Sequence, residues 1–218
     1  MRIARINEID PIPVVNGRLA WRPVRRALGI EAFGINAYTA NAGELVVEEH
    51  DETGHGAGHH EELYVVLAGR ATFTVNGEEL DAPPGTQVFL DDPTERRCAV
   101  ATEDGTTVLA VGGARGEPYR ISPWEYTFAA APAWERQDWD EVERLLREGL
   151  DAHPHNPSLL YNLACALARK GSTDDALDLL TDALAAEPRY RKLAEADTDF
   201  DSVRSDPRFS AAVQPPSA

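Results

Sequence analysis

The chain has 218 residues, 43% of them hydrophobic and 27% charged, and a formal net charge of −16. That length can bury a real core as one large domain or two small ones. The negative charge argues against nucleic acid and anionic membranes as partners.

The segment from Met1 to Glu8 has no apolar targeting core, and no stretch approaches the roughly 20 apolar residues of a membrane span. Cys98 and Cys165 lie far apart, which gives no disulfide framework and makes a cytoplasmic, reduced protein the expectation. Trp21 to Gly29 is a local basic patch in an acidic chain, read as a solvated face or a set of internal ion pairs.

From Ile6 to about Gly113 the pattern is one of short strands punctuated by glycine and proline. Strand candidates are 45–47, 63–67, 71–75, 88–90, 98–101 and 106–111. Asn76-Gly77 suits a tight hairpin turn because both positions tolerate positive φ, and residues 102–106 read as another hairpin. With no helix between them, such strands indicate a sandwich or barrel.

Within this region lies a glycine- and histidine-rich loop. Four of the six histidines, at 50, 55, 59 and 60, fall within eleven residues, followed at once by Glu61 and Glu62. Imidazoles and a carboxylate clustered at the mouth of a strand are where a metal or polar ligand would be held. If Glu62 points into a barrel, period-two alternation puts His60, Tyr64 and Val66 on its face and His59, Glu61 and Leu63 on the other.

Two stretches resemble conserved motifs of the cupins, a superfamily of double-stranded β-helix (jelly-roll) barrels. Glu62-Leu63-Tyr64-Val65-Val66-Leu67-Ala68-Gly69 has a glutamate before a glycine at the first motif's spacing. Gly77 to Gly85, with Pro83-Pro84-Gly85 at its end, matches the second. The resemblance covers roughly residues 40–113 and implies a metal site built from His-x-His and the glutamate, plus one more histidine. The glutamate maps onto Glu62 and the first histidine onto His55, with Ala57 where the second should stand. If the loop carries an insertion, the strand instead ends at His50 and Glu52 takes the second position. The last histidine falls on Val88 or Arg96, so this site departs from the family's pattern.

With His60 added by strand alternation, the candidate metal ligands are His60 and Glu62 with His50 or His55 reaching in from the loop, holding one divalent ion of iron, zinc, manganese or nickel. Glu62, Tyr64, Arg96, Arg97 and Cys98 are the candidate ligand-binding residues. The alternative is a metal-free barrel in which Arg96 or Arg97 holds Glu62, and for Cys98 a small core role.

After the barrel, Trp124, Tyr126 and Phe128 alternate through 119–132, read as an aromatic linker. From Ala133 the period becomes helical: Trp139, Val142, Leu145, Leu146 and Leu150 share a stripe. Leu160 to Lys170 and Thr173 to Glu187 form a helical pair broken at Gly171-Ser172. Leu160, Leu163, Ala164, Leu167, Gly171, Ala176, Leu180, Ala183 and Pro188 fit the tetratricopeptide repeat, which this segment resembles for about one and a half repeats. So short an array must pack on the barrel, across a dimer, or on a partner. The acids at 197–201 are expected to cap a short helix containing Val203-Arg204, with Phe200 and Phe209 docking on the repeat.

The expected fold is mainly β plus α: a cupin jelly-roll barrel over 1–118, an aromatic linker over 119–132, a tetratricopeptide-like helical domain over 133–212 and a disordered tail over 213–218. The expected function is small-molecule binding with a possible divalent metal at the His/Glu cluster. Two alternatives stand: a metal-dependent cupin enzyme of oxygenase, isomerase or epimerase class, and a non-catalytic sensor whose helices bind a protein partner. Resemblance to cupins also implies a homodimer.

Overall fold

The structure, a computed structural model, describes residues 1–214. It divides into two compact units, the first ending at Ser122 and the second starting at Pro123.

The first unit holds ten strands: β1 Ile12–Val14, β2 Leu19–Arg22, β3 Gly34–Ala40, β4 Leu45–His50, β5 Glu61–Ala68, β6 Ala71–Val75, β7 Glu78–Ala82, β8 Gln87–Leu90, β9 Arg97–Ala101 and β10 Thr106–Gly113, with the short helix α1 Val24–Leu28 between β2 and β3. One sheet runs β1-β2-β3-β10-β5-β8 and the other β4-β9-β6-β7. All pairings are antiparallel. Of the eight strands β3 to β10, the first sheet takes β3, β5, β8 and β10 and the second β4, β6, β7 and β9, the arrangement of a jelly roll.

Inward residues of both sheets form the core. Tyr64 and Val66 from β5, Phe73 from β6, Ala99 and Ala101 from β9 and Val108 from β10 are all buried. The turn between β6 and β7 uses Asn76 and Gly77 with φ of 50° and 88°, the positive values that make this pair suit a tight hairpin. β1, β2, β3 and β7 are strands that the sequence reading did not mark; β1 is interrupted by proline and β7 is mostly acidic.

The basic patch is not a solvated face throughout. Arg25 is buried and donates to the Ile30 carbonyl, and Arg22 donates to Thr39 Oγ1 and to the Ile6 and Ile9 carbonyls.

The second unit contains α2 Pro123–Glu135, α3 Trp139–Ala152, α4 Pro157–Lys170, α5 Thr173–Ala186, α6 Tyr190–Ala196 and α7 Pro207–Val213. The expected linker is thus corrected: most of it is the helix α2. Its aromatic alternation suggested an extended chain, but the buried positions Tyr126, Ala130 and Ala133 fall at i, i+4 and i+7, a helical stripe. With α2 present, α2–α3 and α4–α5 make two helical hairpins rather than one and a half.

Leu159, Leu163, Ala164, Ala176, Leu180 and Ala183 are completely buried, and the small side chains let α4 and α5 approach closely. No helix covers Val203-Arg204; the last helix is α7, capped by Asp206. Phe200 meets Tyr161 edge to face at 5.6 Å and packs at a tilt on Phe209 at 5.8 Å. Of the expected tail at 213–218, Val213 instead ends α7, and 215–218 lie outside the described residues.

Asn156 caps α4 by accepting from the Leu159 amide at 3.0 Å, with Pro157 at the first helical position. Asn156→Ala is expected to cost about 1 kcal/mol in urea unfolding. An unchanged midpoint would show that this cap does not hold the second hairpin.

Candidate functional site

The site lies at one end of the barrel, where the strands deliver charged side chains from both sheets. β5 contributes Glu62 and Tyr64 from the first sheet. β4 and β9 contribute His50 and Arg97 from the second, where these two residues are paired across the ladder. Glu52 follows β4 directly, before the Gly/His-rich loop.

Arg97 has no exposed side-chain surface and donates to Glu62 Oε2 at 2.6 Å and to the Glu95 carbonyl at 2.7 Å. Tyr64, also buried, donates its hydroxyl to the same Glu62 oxygen at 2.5 Å. His50 Nε2 lies 3.6 Å from Glu62 Oε2, 3.8 Å from Glu52 Oε1 and 3.5 Å from the Tyr64 hydroxyl. His50, Glu52 and Glu62 each bring a ligand atom within 4.8 Å of the others.

The electrostatics follow from this packing. Burial pushes the Glu62 carboxyl up, but the hydrogen bond with His50, the Arg97 guanidinium and the Tyr64 hydroxyl outweigh it and bring the group to about 2. Burial also opposes charge on His50, yet the Glu62 carboxylate and the Glu48 carbonyl leave its imidazole raised above the ordinary value. Tyr64 is held far above the usual phenol range, first by burial and then by Glu62.

Glu52 uses its other oxygen differently. Oε2 accepts from the amides of Gly58 at 2.9 Å and His60 at 3.4 Å, so this carboxylate pins the loop as well as facing His50.

The expected ligand set is only partly brought together. His50 and Glu62 converge, and Glu52 joins them in the arrangement that a loop insertion implies. His60 is buried, its Nδ1 3.9 Å from Glu52 Oε2 and its ring 5.6 Å from that of Tyr119, but it stands outside the group of three. His55 sits on the exposed loop. Arg96 points outward and pairs with Glu49 at 2.8 Å, both exposed. Cys98 alternates to the opposite face of β9 from Arg97 and is only partly buried. Strand alternation separates neighbours such as Arg96, Arg97 and Cys98 that sequence proximity groups together.

Solved structures similar to this chain include a protein described as a predicted oxalate decarboxylase from Thermotoga maritima, at 22% identity. It covers 51% of this chain and 97% of its own, with a TM-score of 0.41. A cupin protein from Bacteroides fragilis matches at 19% identity over 56% of this chain and 88% of its own, with a TM-score of 0.39. A Cupin 2 conserved barrel domain protein from Salinispora arenicola matches at 21% over 51% and 87%, with a TM-score of 0.40. The strand-rich half is, by its own strand order, a two-sheet antiparallel jelly-roll barrel. Residues 133–196 match the tetratricopeptide repeat family model. A comparison with curated proteins finds no match.

Proposed function

We propose that the barrel is a small-molecule site in which His50, Glu52 and Glu62 hold one divalent metal ion. The carrying observation is the orientation of His50. Its Nδ1 lies 2.7 Å from the Glu48 carbonyl oxygen, which can only accept, so Nδ1 carries the hydrogen. In the neutral ring Nε2 then directs a lone pair at two carboxylate oxygens, an arrangement that needs a cation or a proton between them.

The donor set fits a first-row divalent ion. Imidazole with two carboxylates suits manganese, iron, zinc or nickel. Two ligands of one such ion stand about 3.0–3.4 Å apart, and the observed spacings of 3.6 and 3.8 Å are close to that. A bound ion with open positions would supply Lewis acidity, and the protein residues would orient its ligand. The expected enzyme classes of oxygenase, isomerase and epimerase all fall within that chemistry, and the tetratricopeptide helices are proposed to engage a protein partner.

One observation favours a second reading. The guanidinium of Arg97 already neutralises Glu62, which suits a metal-free barrel that binds a polar ligand directly.

Anaerobic loading with iron, zinc, manganese and nickel, followed by elemental analysis, separates the two. The metal reading expects about one equivalent of a single metal per chain and none in a His50→Ala, Glu62→Gln double variant. No uptake under any condition would retire it in favour of the metal-free barrel. Equal uptake by the double variant would overturn the ligand assignment.

A further inference from the structure

Beyond the charged cluster, the barrel interior holds one polar side chain that the protein leaves unsatisfied. Asn36 on β3 is 6% exposed, and its Oδ1 has no hydrogen-bond partner among the described residues. Its direction is fixed by its neighbours. Tyr38 and Ala40, at i+2 and i+4, pack into the barrel core, whereas Ile35 and Ala37 pack on the outer cluster with Ile9 and Val24. Asn36 therefore points inward.

The ladder places only two small residues between Asn36 and the charged cluster. Asn36 is paired with Ala110, and Ala110 with Tyr64. One row further along, Gly34 is paired with Gly112, and Gly112 with Glu62. The strand between the two polar walls thus presents only a methyl group and a hydrogen, across about 10 Å from β3 to β5. A Cβ at Gly112 would come within 3.2 Å of Glu62 Cγ, and one at Gly34 within 3.1 Å of the Tyr119 hydroxyl. A side chain at either position would press on these atoms, so both rows are held to glycine beside the carboxylate.

A buried acceptor with no partner costs stability unless something else satisfies it. Glu52 and Glu62 are acceptors beside this strip of small residues, and the nearby donors Arg97 and Tyr64 are already taken up by Glu62. We infer that Asn36 is a specificity-determining residue that accepts a hydrogen bond from a hydroxyl of a compact hydroxyl-bearing ligand lying over Ala110 and Gly112. This rests on the barrel being a small-molecule site, but not on the metal.

The test uses the full chain with two variants, Asn36→Leu, which is nearly isosteric and apolar, and Asn36→Ala. Thermal unfolding of the ligand-free protein comes first. An unsatisfied amide predicts that Asn36→Leu melts at the wild-type temperature or a few degrees above it. A loss of several degrees in both variants would show that the fold itself satisfies the amide, and would overturn the inference.

Saturation-transfer NMR then compares meso-erythritol with its tetramethyl ether, in which no hydroxyl can donate. Erythritol should bind the wild type, the ether should not, and both variants should bind erythritol about tenfold more weakly. No erythritol binding to the wild type, equal binding of the ether, or undiminished binding by both variants would each overturn it. Metal loading of Asn36→Leu should match the wild type. A wild type that takes no metal yet binds erythritol through Asn36 would retire the metal reading and leave this inference standing.

Discussion

Replacing Arg97 with leucine is expected to destabilise the protein by about 3–5 kcal/mol, because it strips a buried carboxylate of its cation. Glu62 Oε2 would keep only the Tyr64 hydroxyl and the neighbouring His50. The Glu95 carbonyl would lose its donor too. The pair itself need not be a net source of stability, since desolvating two ions offsets most of their attraction. Accordingly the double change Arg97→Leu, Glu62→Gln should recover most of the loss. Urea unfolding of the four proteins gives the coupling directly. An Arg97→Leu protein within about 1 kcal/mol of wild type would mean that Glu62 does not depend on the guanidinium.

The same variant bears on the metal. Two carboxylates and one guanidinium leave the cluster at −1 when His50 is neutral; without the guanidinium it stands at −2. A divalent ion should therefore restore more stability to Arg97→Leu than it adds to the wild type. Under the metal reading, Arg97 and the ion would be competing counter-charges for one acidic site.

Acid titration of the metal-free protein has the next largest expected effect. Glu62 has a folded value near 2 against an ordinary 4.5, so its contribution is full above pH 4.5 and is lost as the pH falls from there toward 2. The size is about 3 kcal/mol. His50 has the opposite sign. Its folded value is raised above 6.5, so its contribution is full below 6.5 and disappears as the pH rises through the folded value. Stability from this pair should peak between about pH 4.5 and 6.5. Urea midpoints in chelator across that range should show it for the wild type, with a flattened acid limb in Glu62→Gln. An equally steep loss below pH 4.5 in that variant would assign the acid sensitivity to other carboxylates.

Much of this was legible in the sequence because it is local. The alternation at 71–75, the Asn76-Gly77 turn and the apolar stripes of the later helices each depend on residues a few positions apart. The site was harder to read. Histidine density drew attention to the loop, yet His55 and His59 lie exposed on it, and convergence came from His50 and Glu52 at the end of β4. Only the insertion arrangement of the loop brings Glu52 into view. Asn36 carried no signal at all, since its lack of a partner depends on Ala110 and Gly112, more than seventy positions away. The helix α2 was misread because a run of aromatic residues alternates as well as it coils.

Glu52 gives the loop and the site a shared fate. One oxygen clasps the backbone of Gly58 and His60, and the other faces His50 across the opening. Anything that draws this carboxylate toward the barrel pulls on that clasp. The backbone of the Gly/His-rich loop and the imidazole of His50 are thereby mechanically joined through one side chain.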